Sequence, residues 1–171
     1  MNKLFGALLA AAMLCGCVQS DSSGKQYLAD LGNLIGKADR IVLVEHSSSY
    51  DLFQIQKGEQ IPLEEIAYRR IQLTAQQKDR FQSMIMALPP ETQNAFPACI
   101  IEAHHRIEFY QAGKKIDSME VCFVCGQVEW GGTKATPPWA LYGGLEGFVA
   151  SVGLQPKREW ASLAAKTKGL Q

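Results

Sequence analysis

Residues 99–130 (CIIEAHHRIEFYQAGKKIDSMEVCFVCGQVEW) hold three of the chain's five cysteines and two of its three histidines. They read as an antiparallel hairpin. Ile107 and Phe109 alternate with Arg106, Glu108 and Tyr110. Beyond the turn-forming residues 111–115, Met119, Val121 and Phe123 fall on one face and Ser118, Glu120 and Cys122 on the other. Pairing the arms about Gly113 sets opposite each other residues whose numbers sum to about 225 or 226. A slip of one residue would turn every side chain to the other face, so one step decides whether His104 or His105 joins Cys122. Either register carries Cys99 back to the neighbourhood of Cys125.

The remaining elements follow from periodicity. Leu28, Leu31, Leu34 and Ile35 predict a short amphipathic helix over 26–35, closed by Gly36. Residues 40–45 (RIVLVE) are β-branched and nearly continuously apolar, as a buried strand is. Ser47, Ser48 and Ser49 break it, and 50–56 reads as a weaker strand. Residues 64–73 alternate as another. Thr74 with Gln77 forms a capping-box pattern for a helix over 75–88, with Phe81, Met84, Ile85 and Leu88 as its buried stripe and Pro89-Pro90 as its stop. A glycine-weakened apolar helix over 139–152 and a closing helix over 159–166 complete the order. Hairpin-joined strands with helices between the clusters predict an α+β fold, an antiparallel sheet with helices packed on one face.

The N-terminus carries an address. Met1, Asn2 and Lys3 are a short positive segment, and the 11 residues from Leu4 to Leu14 are apolar, too few for the roughly 20 a bilayer span requires but fit for a secretory signal. Leu14-Cys15-Gly16-Cys17 then resembles the bacterial lipobox, an apolar residue and two small ones before an acceptor cysteine. The resemblance implies a signal peptide over 1–16, a diacylglycerol thioether and an acylated amine on Cys17, and a bacterial envelope protein anchored in the lipid bilayer. Several acyl chains hold far more firmly than one, at about 0.8 kcal/mol per buried CH₂. Val18 in place of Asp favours the outer membrane, by resemblance to enterobacterial sorting, with the domain facing the periplasm. Residues 17–24 read as acylated cysteine and polar tether, and 25–171 as a single globular α+β domain.

With Cys17 acylated and Cys15 removed, Cys99, Cys122 and Cys125 remain, an odd set in an oxidising compartment. Along an extended strand Cys122 and Cys125 would lie roughly 10 Å apart and point to opposite faces, whereas a disulfide wants Cα atoms within about 7 Å. A bond between them therefore requires the strand to curl, which Gly126 permits. The leading expectation is a structural disulfide from Cys99 to Cys122 or Cys125. A Cys3His zinc-type site adding His104 or His105 is a second reading, and a C-x-x-C-G turn resembles the rubredoxin-type metal knuckle, in which backbone N–H groups point at the sulfurs. A thiol-redox protein is a third. Against it, C-x-x-C oxidoreductases present the pair at a helix N-terminus, and here it closes a strand.

The pattern C-x5-H-R-I-E-F-Y, then G, then E-V-C-F-x-C-G resembles a hairpin of uncharacterised bacterial envelope proteins, and this resemblance implies no activity. Basic and acidic residues balance at 17 each, and removing 1–16 takes away only Lys3. No basic stripe is visible, which argues against nucleic acid as a partner. There is no G-x-S-x-G, Walker loop, H-E-x-x-H or Rossmann glycine fingerprint. Glu64, Glu65 and Glu102 read as solvated, His46 has no evident partner, and Trp130, Trp139, Tyr142 and Phe148 read as packing residues that could alternatively line a groove. The domain is expected to serve a binding or structural role, its protein partner or small ligand left open, with no catalytic residue and no firm cofactor.

Overall fold

The computed structural model describes residues 19–53, 64–92 and 99–169. Helix α1 (Gln19–Lys37) leads into strand β1 (Arg40–His46), a short helix α2 (Ser49–Phe53) and strand β2 (Ala67–Gln72). Helix α3 (Ala75–Ala87), strands β3 (His105–Gln111), β4 (Lys114–Cys122) and β5 (Gln127–Trp130), and helices α4 (Ala140–Ser151) and α5 (Trp160–Lys168) follow. The five strands form one antiparallel sheet in the order β2-β1-β3-β4-β5. The α+β architecture read from the sequence is the one present.

The interior strand β1, paired on both edges, is buried along nearly its whole length. Its Ile41 and Leu43 join Ile107, Phe109, Met119 and Val121 on one face, against Leu31 and Ile35 of α1, Phe81 and Ile85 of α3, and Leu141 and Leu145 of α4. The Phe81 and Phe148 rings stack 4.7 Å apart at the centre of this core. Fully burying such a side chain contributes about 1.5–3 kcal/mol. Thr74 and Gln77 make both bonds of the expected capping box. Trp130 packs edge-on to Tyr27 and bonds Asp117, so Trp130 and Phe148 are packing residues, whereas Trp139 is 60% exposed beside Tyr142.

The hairpin contains both registers considered. Pairs from His105↔Val121 to Phe109↔Asp117 sum to 226, and a bulge after Phe109 shifts Tyr110↔Lys115 and Gln111↔Lys114 to 225. Ala112 and Gly113 close the turn with positive φ at both positions, the two-residue geometry that matches strand twist.

Two local expectations are corrected, and one element is new. The polar tether read over 17–24 is helical from Gln19: Ser23 Oγ accepts from Thr136 N at 2.7 Å and Gly24 is buried against the Pro90 carbonyl. The strand expected over 50–56 begins instead as α2, because Ser48 and Asp51 cap a helix start, and its later residues lie outside the described ones. Residues 127–130 form the unforeseen β5, returning along β4 after the turn at 123–126. Cys17 and the signal segment lie outside the described residues.

Candidate functional site

At the end of the sheet where β1 and β4 finish and β3 begins, α2 and α5 pack against each other beside the 123–126 turn. A cleft of about 480 Å³ lies there. Its walls come from α2 (Tyr50, Asp51), the segment entering β3 (Cys99, Ile100, Glu102, His104), the end of β4 and its turn (Cys122, Val124, Cys125) and the start of α5 (Glu159, Trp160, Ala161).

The sulfurs are arranged differently from the leading expectation. Cys122 and Cys125 form the disulfide, with Cα atoms 5.5 Å apart, and Cys99 is an exposed free thiol. The bond from Cys99 is absent because the chain leaves the β4 ladder at Cys122 and curls through Gly126, at φ 58°, bringing its own two cysteines together. The Cys125 N–H points at Cys122 Sγ, 3.3 Å away, as in the knuckle that C-x-x-C-G resembles. Cys99 lies beside Cys125 as the pairing arithmetic expected, although it is outside the ladder. Its thiol faces the Cys125 carbonyl at 4.0 Å and accepts from Gln127 Nε2 at 3.7 Å.

The register separates the two histidines. With the pairs near His105 summing to 226, His104 is the residue that falls opposite Cys122, and both line the cleft. His105 turns to the other face, so its expected membership of the sulfur cluster is corrected: its ring packs edge-on to Phe123 at 4.9 Å and Trp160 at 5.6 Å. Burial first, then the charges of His104 and His46, push the His105 imidazole down to about 3, which keeps it neutral. Among the described residues no group of three His, Cys, Asp or Glu side chains is placed to hold a metal ion.

Asp51 organises the cleft floor. One carboxylate oxygen accepts the Ser48 N–H at 2.8 Å, completing the cap of α2, and the other lies 2.9 Å from His104 Nε2. The indole of Trp160 lies 4.6 Å from the same imidazole and nearly parallel to it. Asp51 fixes which ring nitrogen of His104 carries hydrogen, and Trp160 fixes the ring plane. Around this floor stand Tyr50, Ile100 and Val124, apolar side chains left exposed, Val124 at 74%. Asp51, Glu102 and Glu159 contribute three carboxylates, and none of the described lining residues is Lys or Arg.

A second polar cluster lies farther along the sheet face that carries His104 and Cys122. Arg106 is gripped by Glu65 and Glu120, and Arg70 pairs with Glu108. His46, without a partner in the sequence reading, approaches Glu120 through Nε2 and the Ser47 carbonyl through Nδ1, each at 3.0 Å. Glu65 is therefore an ion-pair member rather than a solvated acid. On the helix-covered face the fully buried Glu45 accepts from Gln155 N at 2.6 Å and meets Arg158 at 3.5 Å, which ties the segment before α5 to the sheet.

Asp51, Trp160 and Glu120 were not singled out from the sequence. Ser48-x-x-Asp51 before Leu52 is a cap signature that would have revealed the short helix and its acid. Nothing local marks Trp160 or Glu120. Compared with models of protein families, with curated proteins and with solved structures, the chain matches none.

Proposed function

We propose that this chain is a bacterial lipoprotein, anchored through an acylated Cys17 in the outer membrane, whose periplasm-facing domain binds a small organic cation with an apolar body in the cleft at the sulfur end of the sheet. The observation that carries the binding reading is the composition of the cleft wall: exposed Tyr50, Ile100 and Val124 stand with the carboxylates of Glu102 and Glu159 and the His104-paired Asp51, and none of the described lining residues is Lys or Arg. Concave sites of this volume, apolar with a few placed polar groups, are where small ligands bind. The Asp51–His104–Trp160 stack supplies a pre-set floor.

The address rests on Leu14-Cys15-Gly16-Cys17. The start of α1 at Gln19 is compatible with it and leaves little slack. The chain from residue 17 to Gln19 reaches at most about 7 Å and the helix from Gln19 to Gly24 adds about 8 Å, so a lipid on Cys17 is tethered within about 15 Å of Gly24. Gly24 packs on Pro90, and the Trp139 N–H bonds the Glu91 carbonyl, so exposed Trp139 belongs to the anchored end.

Two measurements test the two halves. Cys17→Ser should accumulate as an unprocessed, lipid-free precursor, and normal maturation would refute the address. Titrating the full chain in micelles with benzylammonium should give saturable NMR shifts at His104 and Val124, weakened in Glu102→Gln and Glu159→Gln. Equal shifts with benzoate would refute the charge preference.

A further inference from the structure

The cleft wall contains a disulfide and a thiol side by side, and the binding reading uses neither. Cys122 is 2% exposed, while Cys125 is more open and Cys99 is exposed in the same cleft. A thiol entering the cleft therefore meets the Cys125 end of the bond. The Cys99 thiol lies 4.0 Å from the Cys125 carbonyl oxygen and accepts from Gln127 Nε2 at 3.7 Å, which holds the third sulfur beside residue 125 in the cleft wall. A C-x-x-C pair that closes a strand, away from a helix N-terminus, is poorly placed for a mechanism with two sulfurs. A third sulfur at the same place supplies what the pair lacks.

We propose that the cleft is a thiol–disulfide exchange site in which Cys125 is the sulfur attacked, Cys99 is the thiol that takes over its bond, and the substrate class is a thiol carrying a positive charge. The substrate class rests on the binding reading above; the exchange itself does not.

In the first step a substrate thiolate attacks Cys125 Sγ. A bond forms between substrate sulfur and Cys125, the Cys122–Cys125 bond breaks, and its electron pair leaves on Cys122, which takes up the proton lost by the substrate thiol. In the second step the Cys99 thiolate attacks Cys125 Sγ and expels the substrate sulfur, which recovers the proton given up by Cys99. The disulfide has moved from Cys122–Cys125 to Cys99–Cys125, Cys122 is a thiol, and no net oxidation has occurred. A substrate with two thiols has another exit: its second thiol attacks the first substrate sulfur and releases Cys125 as a thiol. That substrate leaves as a disulfide, having given two electrons to the protein's sulfur pair.

The test uses the full chain in micelles with two monothiols at matched thiolate concentration, cationic 2-aminoethanethiol and anionic thioglycolate. After acid quenching and alkylation, peptide mass mapping locates the bonds. A Cys99–Cys125 bond with alkylated Cys122 is expected. It should form about tenfold faster with the cation, the order of enrichment that a cleft lined by one sign of charge produces. Cys99→Ser should instead accumulate 2-aminoethanethiol on Cys125, and Glu102→Gln with Glu159→Gln should erase the charge preference. Label on Cys122, or an intact Cys122–Cys125 bond until the protein is unfolded, would overturn the exchange. Equal rates with both thiols would overturn the substrate class, while the binding reading stands or falls separately by the benzylammonium titration.

Discussion

His46 Nε2 lies 3.0 Å from a carboxylate oxygen of Glu120, a residue 74 positions away in the chain, while Nδ1 of the same ring lies 3.0 Å from the Ser47 carbonyl. Both ring nitrogens face acceptors, so only the doubly protonated imidazolium satisfies both. Burial alone would pull this group down. The bonds to Glu120 and Ser47 and the charge of Glu120 outweigh it, and the His46 pKa is raised. Stability from a raised histidine is fully present below its unfolded value near 6.5 and is lost as pH rises through the folded value. For Glu120, burial raises the pKa, but His46 and Arg106 more than reverse it, so its contribution is lost only at acid pH. Glu120→Gln should therefore cost about 1–3 kcal/mol near pH 6. The difference from the parent should shrink towards pH 9. Urea unfolding of both proteins across pH checks this, and a pH-independent difference would refute the imidazolium.

His105 should behave oppositely. It is 2% exposed and neither ring nitrogen makes a hydrogen bond of ordinary geometry, so it stays neutral down to about pH 3. Being depressed, it favours unfolding as pH falls below the unfolded value near 6.5. Imidazole NMR of the folded chain should show His46 titrating above 6.5 and His105 not titrating between pH 5 and 8. A midpoint near 6.5 for His105 would mean that its ring reaches water.

Gly24 offers a test of sign. In an exposed helix Gly→Ala stabilises by about 1 kcal/mol. Here an added Cβ would stand 1.8 Å from the Pro90 carbonyl oxygen, a backbone atom with little freedom to move. Gly24→Ala should lower the melting temperature, and a rise would mean that the first turns of α1 are not docked.

Thr74→Ala should lower stability by about 1 kcal/mol through loss of the α3 cap, and Thr74→Ser should restore most of it. The urea midpoint reads both, and equal effects would assign the loss to the threonine methyl.

If the lipid at Cys17 holds α1 near the bilayer, exposed Trp139 belongs at the interface, where tryptophan is favoured. In vesicles carrying brominated lipids, the fluorescence of the lipidated protein should be partly quenched, and Trp139→Phe should remove that quenched fraction. Identical quenching in the variant would place Trp139 away from the lipid.

What the sequence determined by itself was local. Alternation placed Met119 and Val121 in the core and Glu120 on the other face, turn chemistry located the reversal at Gly113, and Thr74 with Gln77 marked the start of α3. These follow from strand period, positive φ and cap bonds, each settled within a few residues. The tertiary structure decided everything that depends on long closure. The curl at Gly126 chose Cys122–Cys125 over a bond from Cys99, and a bulge at Phe109 set the register that sends His104 to the cleft and His105 to the core. Asp51 and Trp160 reach His104 from 50 or more positions away on helices whose own periodicity carries no trace of that meeting. Alternation states which side a residue faces; which partner waits there is set only when the sheet and helices close on each other.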